Sequence, residues 1–86
     1  MIGMPQEHES GCAMMKRVAK EQEEAIRRTR KRIDELEDKI ASLSAQPHPD
    51  QQQIQALRQA VENLQAKVEE DERSLSDLQD VITENC

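Results

Sequence analysis

Cys12 and Cys86 are the two residues in this 86-residue chain whose type by itself promises covalent chemistry. They stand near opposite ends of the sequence, so a disulfide between them would close a long loop and add ~4 kcal/mol on chain-entropy grounds. The same thiols could instead bridge two chains, or stay reduced where the compartment keeps thiols so. His8 precedes Cys12 by four residues, and Met14 and Met15 follow it. With Cys86 nearby these would be soft ligands, but the spacing lacks the two matched Cys-x-x-Cys pairs of a structural zinc site, so no metal is expected. His48 reads as a turn residue rather than a ligand.

A second group with chemical potential is Arg27-Arg28-Thr29-Arg30-Lys31-Arg32, five cations in six residues. Such a run suits phosphate groups, a nucleic-acid backbone or nuclear import. The rest of the chain argues for a solvated helix face instead. Its net charge is −6, and the imbalance lies in the second half: residues 1–45 carry nine acidic and nine basic side chains, residues 46–86 nine acidic and three basic. Nucleic acid is therefore an unfavoured partner.

Other chemistry is not supported. The glycines, Gly3 and Gly11, form no phosphate-binding loop. Hydrolysis needs a nucleophile, a base and an orienting group in a water-poor pocket, and adjacent acids such as Glu69 and Glu70 point apart on a helix. The expectation is a non-enzymatic chain with no catalytic residues and no cofactor.

The elements that carry these groups follow from periodicity. Met15, Ala19, Gln22, Ile26, Thr29, Ile33, Leu36, Ile40 and Leu43 form one heptad ladder. Ile54, Leu57, Val61, Leu64, Val68, Asp71, Leu75, Leu78 and Ile82 form another. Alternating steps of three and four put each set on one narrow helical stripe, the pattern of a coiled-coil seam. Such regular placement argues against disorder. The absence of Phe, Tyr and Trp argues against a compact globular core. The ladders are separated by Pro47-His48-Pro49-Asp50, and a residue before proline resists the helical conformation. Ser10 can cap a first helix over about 11–45. Asp50 can cap a second over about 51–84, with Gln53 completing a capping box. Residues 46–50 then form the turn, and residues 1–10 a flexible tail. Glu23 with Arg27, Glu24 with Arg28 and Glu69 with Arg73 have the acid four residues before the base, the favourable order on an exposed helix.

The fold class expected is all-α: an antiparallel coiled-coil helical hairpin that could pair into a four-helix bundle. Folding at the prolines opposes residues whose numbers sum to 97, so that Leu43 meets Ile54, Leu36 meets Val61 and Met15 meets Ile82. The same alignment sets Arg27 and Arg28 beside Glu70 and Glu69, and brings Cys12 to Cys86. It also faces Arg32 with Lys67 and Glu23 with Glu72, which repel, against one attractive pair, Glu37 with Arg58. A parallel homodimer would offer better flanking charges, Arg32 to Glu37 and Lys67 to Glu72. Magnitudes decide between the two: exposed pairs contribute ~0.5 kcal/mol or less, whereas a proline inside a helix costs ~3 kcal/mol.

The helix–helix interface is expected to comprise Met15, Ile26, Ile33, Leu36, Ile40, Leu43, Ile54, Leu57, Val61, Leu64, Val68, Leu75, Leu78 and Ile82. Val18, Ala25, Ala60 and Val81 widen the apolar stripe on one side, as bundles require. Gln22, Thr29 and Asp71 interrupt the seam, with Arg30 or Arg27 as the expected partner of Asp71, and they make the turn-proximal half the more stable one. The function this predicts is a structural, protein-interaction module that self-associates as a homodimer or, as a monomeric hairpin, docks partner helices. Alternatives are nucleic-acid or import engagement through the basic run, and a redox or metal switch at Cys12 and Cys86. No stretch reaches the ~20 apolar residues of a membrane span, and no secretion signal is visible, so the expected setting is cytoplasmic.

Overall fold

A computed structural model describes residues 10–86 as two helices, α1 (Gly11–Ser44) and α2 (Gln51–Asn85), packed antiparallel in an extended hairpin. The tail expected over residues 1–10 lies, Ser10 apart, outside the described residues. Each helix boundary has a local cause. Ser10 is extended, with φ −64° and ψ 156°, and its hydroxyl oxygen accepts a hydrogen bond from the Ala13 N–H at 3.0 Å. This satisfies one of the amides that a helix start leaves without an intrahelical partner. At the other end Ala45 still has helical dihedrals, and the Gln46 N–H donates to the Leu43 carbonyl at 3.3 Å, tightening the last turn before Pro47. Pro47 has no N–H with which to continue the ladder.

Asp50 starts α2 as the sequence predicts: its carboxylate accepts from the Gln53 N–H at 3.1 Å. The return bond from the Gln53 side chain is not among those that form, so the cap is one-sided. Replacing Asp50 with Ala is expected to cost ~1 kcal/mol, read as a lower melting midpoint in circular dichroism. An unchanged midpoint would mean that solvent satisfies that amide as well as the carboxylate does.

Between the helices, Ala19, Ile26, Ile33 and Leu36 of α1 and Ile54, Val61 and Val68 of α2 are buried. All seven belong to the two ladders. Ile40, Leu57, Leu64 and Leu75 are half-buried and pack against this cluster, joined by Ala60 from beside the seam. Met15, Leu43, Leu78 and Ile82 are also half-buried, nearer the two ends. One stripe per helix thus leaves water, and its burial provides the main drive for the fold.

The charges arrange themselves differently from the sequence expectation. Arg27 and Arg28 form no ion pair with Glu69 or Glu70; the pair that crosses between the helices is Arg30 with Glu72. Nor do the expected pairs Glu23 with Arg27, Glu24 with Arg28 and Glu69 with Arg73 form. Those present within one helix are Arg17 with Glu21, Arg32 with Glu35 and Lys67 with Asp71. This arrangement relieves the repulsion that the antiparallel alignment threatened. Arg32 and Lys67, which the expected alignment sets opposite each other, each have an acid on their own helix, and Glu72 has Arg30.

Candidate functional site: the stapled open end and the flanks of the hairpin

Gly11 and Asn85 bound the end of the hairpin away from the turn, and there Cys12 and Cys86 form a disulfide with their Cα atoms 5.8 Å apart. That separation falls in the ordinary range for a bridge. The register is the one the ladders imply, since the Cys12 sulfur lies 3.6 Å from the carbonyl oxygen of Asn85. As a disulfide, neither sulfur offers a thiolate to a metal. His8 lies outside the described residues, His48 is exposed in the turn, and among the described residues no three His, Cys, Asp or Glu side chains come close enough to hold a metal ion.

Inward from the disulfide the seam turns polar. Gln22, Thr29 and Asp71 are half-buried. Gln22 donates its amide N–H across the seam to the Asp71 backbone carbonyl at 3.1 Å. The Thr29 hydroxyl donates to the Ala25 carbonyl of its own helix at 3.0 Å. Asp71 was expected to find Arg30 or Arg27 on the facing helix; instead its carboxylate accepts from Lys67, one turn back on α2, at 3.0 Å. Arg30 is committed to Glu72. The Asp71 side chain is only 21% exposed, while Lys67 stays largely in solvent. A half-desolvated carboxylate held by one exposed lysine gains a few tenths of a kcal/mol and occupies a position that Leu could fill. Asp71→Leu is therefore expected to raise stability by ~1 kcal/mol, shifting the thermal midpoint up by about 4–8 °C. A fall would show that the carboxylate fixes the register.

Two flanks border the seam. On one, Val18 and Val81 precede the seam residues Ala19 and Ile82, and the antiparallel pairing brings them to the same side. They are 40% and 41% exposed, and Met14, one turn before Val18, is 47% exposed. Ala25 and Ala60, read from the sequence as part of this wider stripe, are half-buried. Met14 was legible only as a sulfur ligand; its i,i+4 relation to Val18 was the signal that assigns it to the apolar flank.

The other flank is a shallow groove floored by one seam residue from each helix at every heptad: Ile40 with Val61, Ile33 with Val68, Ile26 with Leu75. Its walls are charged, with Glu37, Arg58 and Glu62 near the turn and Glu23, Arg27, Arg30 and Glu72 toward the open end. A groove walled by solvated charges does not shelter a reacting group from water.

The basic run lies along α1. Arg30 and Arg32 have acidic partners, whereas Arg27, Arg28 and Lys31 are exposed and make no ion pair among the described residues. Among the described residues no helix is long and apolar enough to cross a membrane. The chain matches no protein-family model, no curated protein and no solved structure in the comparisons made.

Proposed function

We propose that the hairpin is a non-enzymatic structural module that joins protein chains, either by self-association or by docking partner helices alongside its seam. The observation that carries this reading is the exposed apolar flank of Met14, Val18 and Val81 on a hairpin whose remaining surface, among the described residues, is dominated by charged and amide side chains. Large aliphatic side chains gathered on one side of a two-helix element gain stability when another helix covers them. Two hairpins joined on this flank would make a four-helix bundle, the association that a thin two-helix core invites.

Solution mass by size-exclusion chromatography with light scattering tests the self-association arm. The expectation is a mass near twice the 9.9 kDa of one chain, reverting to one chain in a Val18→Glu, Val81→Glu variant whose helicity is unchanged. A parent chain that stays at 9.9 kDa throughout a concentration series would remove self-association and leave a partner helix as the occupant.

One observation favours a second reading. Arg27 and Arg28 form no ion pair with Glu69 or Glu70, beside which the sequence register set them, and Lys31 forms none among the described residues. A short exposed cation cluster suits a polyanion, and binding through it would weaken steeply with salt. Titration with a duplex oligonucleotide at two salt concentrations decides this: no binding at low salt, or binding that Arg27→Ala with Arg28→Ala leaves intact, rules the cluster out.

A further inference from the structure

We propose that the open end of the hairpin is a thiol-operated latch, in which reduction of the Cys12–Cys86 disulfide releases residues 11–22 and 75–86 from each other while the turn-proximal part stays zipped. Three independent features meet at this end.

The first is where the core lies. The buried cluster comprises Ile26, Ile33, Leu36, Val61 and Val68, with Ile54 buried beside the turn. Between the cluster and the disulfide only Ala19, a single methyl group, is buried. Met15, Leu78 and Ile82 are half-buried, and Val18 and Val81 face solvent. Apolar burial, the non-covalent force that closes a hairpin, is thus weakest where the disulfide sits.

The second feature is a polar joint where this end meets the core, with Gln22 and Asp71 at the edge of the buried cluster and Thr29 one step inside it, beyond Ile26. Gln22, Thr29 and Asp71 occupy three seam positions, yet a single side-chain hydrogen bond of theirs crosses between the helices, from Gln22 to the Asp71 carbonyl. The Thr29 hydroxyl and the Asp71 carboxylate both turn to their own helices. If the end opens, those two bonds survive and the Gln22 amide finds water instead. Opening as far as Gln22 and Asp71 loses one bond across the seam and the packing of half-buried Leu75 on the cluster, whereas opening beyond them would expose Ile26, Val68 and Ile33. A boundary of that kind makes local opening a discrete step rather than gradual fraying.

The third is access. Cys86 is exposed and Cys12 half-buried, so a thiolate can reach the bridge. A dithiol reductant supplies the two electrons: its first thiolate attacks one sulfur to form a mixed disulfide and frees the other cysteine. Its second thiol then displaces the remaining cysteine. The products are Cys12 and Cys86 as thiols and the reductant as a cyclic disulfide. Released, the end uncovers Met15, Ala19, Leu75, Leu78 and Ile82 beside the already exposed Met14, Val18 and Val81, so the apolar surface at this end is set by redox state.

Hydrogen exchange followed by mass spectrometry on the full chain, with and without a dithiol, tests the latch. In the oxidised chain, amides of residues 15–22 and 75–82 should exchange about as slowly as those of residues 33–43 and 54–64. After reduction the end amides should exchange about tenfold or more faster than the turn-proximal ones. A Gln22→Leu, Asp71→Leu variant, with the joint made apolar, should lose that difference on reduction. The latch is overturned if both regions of the reduced parent exchange at the same rate, including complete exchange throughout. It is overturned equally if the variant's end still runs ahead, because the joint would then not set the boundary.

Discussion

Replacing Cys12 and Cys86 together with Ser is expected to lower the melting temperature of the oxidised chain by about 20 °C. The bridge joins residues 74 apart in sequence, so it constrains nearly the whole described chain in the denatured state. Loop-closure entropy for that length corresponds to ~4 kcal/mol. A domain this small shifts its midpoint by about 4–8 °C for each kcal/mol. The effect is large because the rest of the fold contributes little: one stripe per helix is buried, no aromatic ring takes part, and hairpins of this size are marginal without a staple. Thermal scans by circular dichroism, run at two protein concentrations, measure it. A drop below about 5 °C would mean that the reduced denatured chain already keeps its ends together, so that the bridge removes little entropy from it. A drop that grows as the protein is diluted would place part of the stability in association between chains.

The hairpin was legible because its determinants are few and strong. Two ladders with unbroken three-four spacing admit helices and little else. The prolines at 47 and 49 make a straight rod costlier than the few favourable charge pairs it would gain. Ser10 and Asp50 mark helix starts because their side chains replace missing backbone acceptors at a fixed spacing, and the structure has both caps. The convergence of Cys12 on Cys86 followed from the register alone.

What could not be read was the charge pairing. Arg30 with Glu72, rather than Arg27 and Arg28 with Glu70 and Glu69, is a choice among rotamers of long exposed side chains whose energies differ by tenths of a kcal/mol. Sequence spacing cannot resolve differences that small. Asp71 shows the same limit, since a lysine one turn away on its own helix is a nearer partner than an arginine across the seam. The apolar flank was half legible. Val18 and Val81 were recognised from their flanking positions, but Met14 required the i,i+4 relation to be weighed ahead of its sulfur.

Truncating Leu36 to Ala is expected to cost ~3 kcal/mol, most of the stability that the reduced hairpin has. Leu36 is 6% exposed and lies within the buried cluster on the turn side of the polar joint. By the register of the ladders it opposes Val61, so the cavity would open between two helices that share no second layer to collapse into it. The matching change at the other end, Leu78→Ala, removes the same atoms from a site that is half-buried in the oxidised hairpin and released from the facing helix on reduction, so in the reduced chain the expected loss is below ~0.5 kcal/mol. The ratio carries more information than either value. Leu and Ala are the same pair of residues in both variants and both have high helix propensity, so the difference reports burial alone. Urea titrations of the reduced chain give both numbers on one scale, with the slope checking that the unfolding transition is unchanged. A larger loss at Leu78 than at Leu36 would put the stable half of the hairpin beside the cysteines and remove the physical basis for a latch there. The expected order assigns the reduced chain's remaining stability to the Ile33–Leu36–Val61 region, leaving the open end to be held by its disulfide.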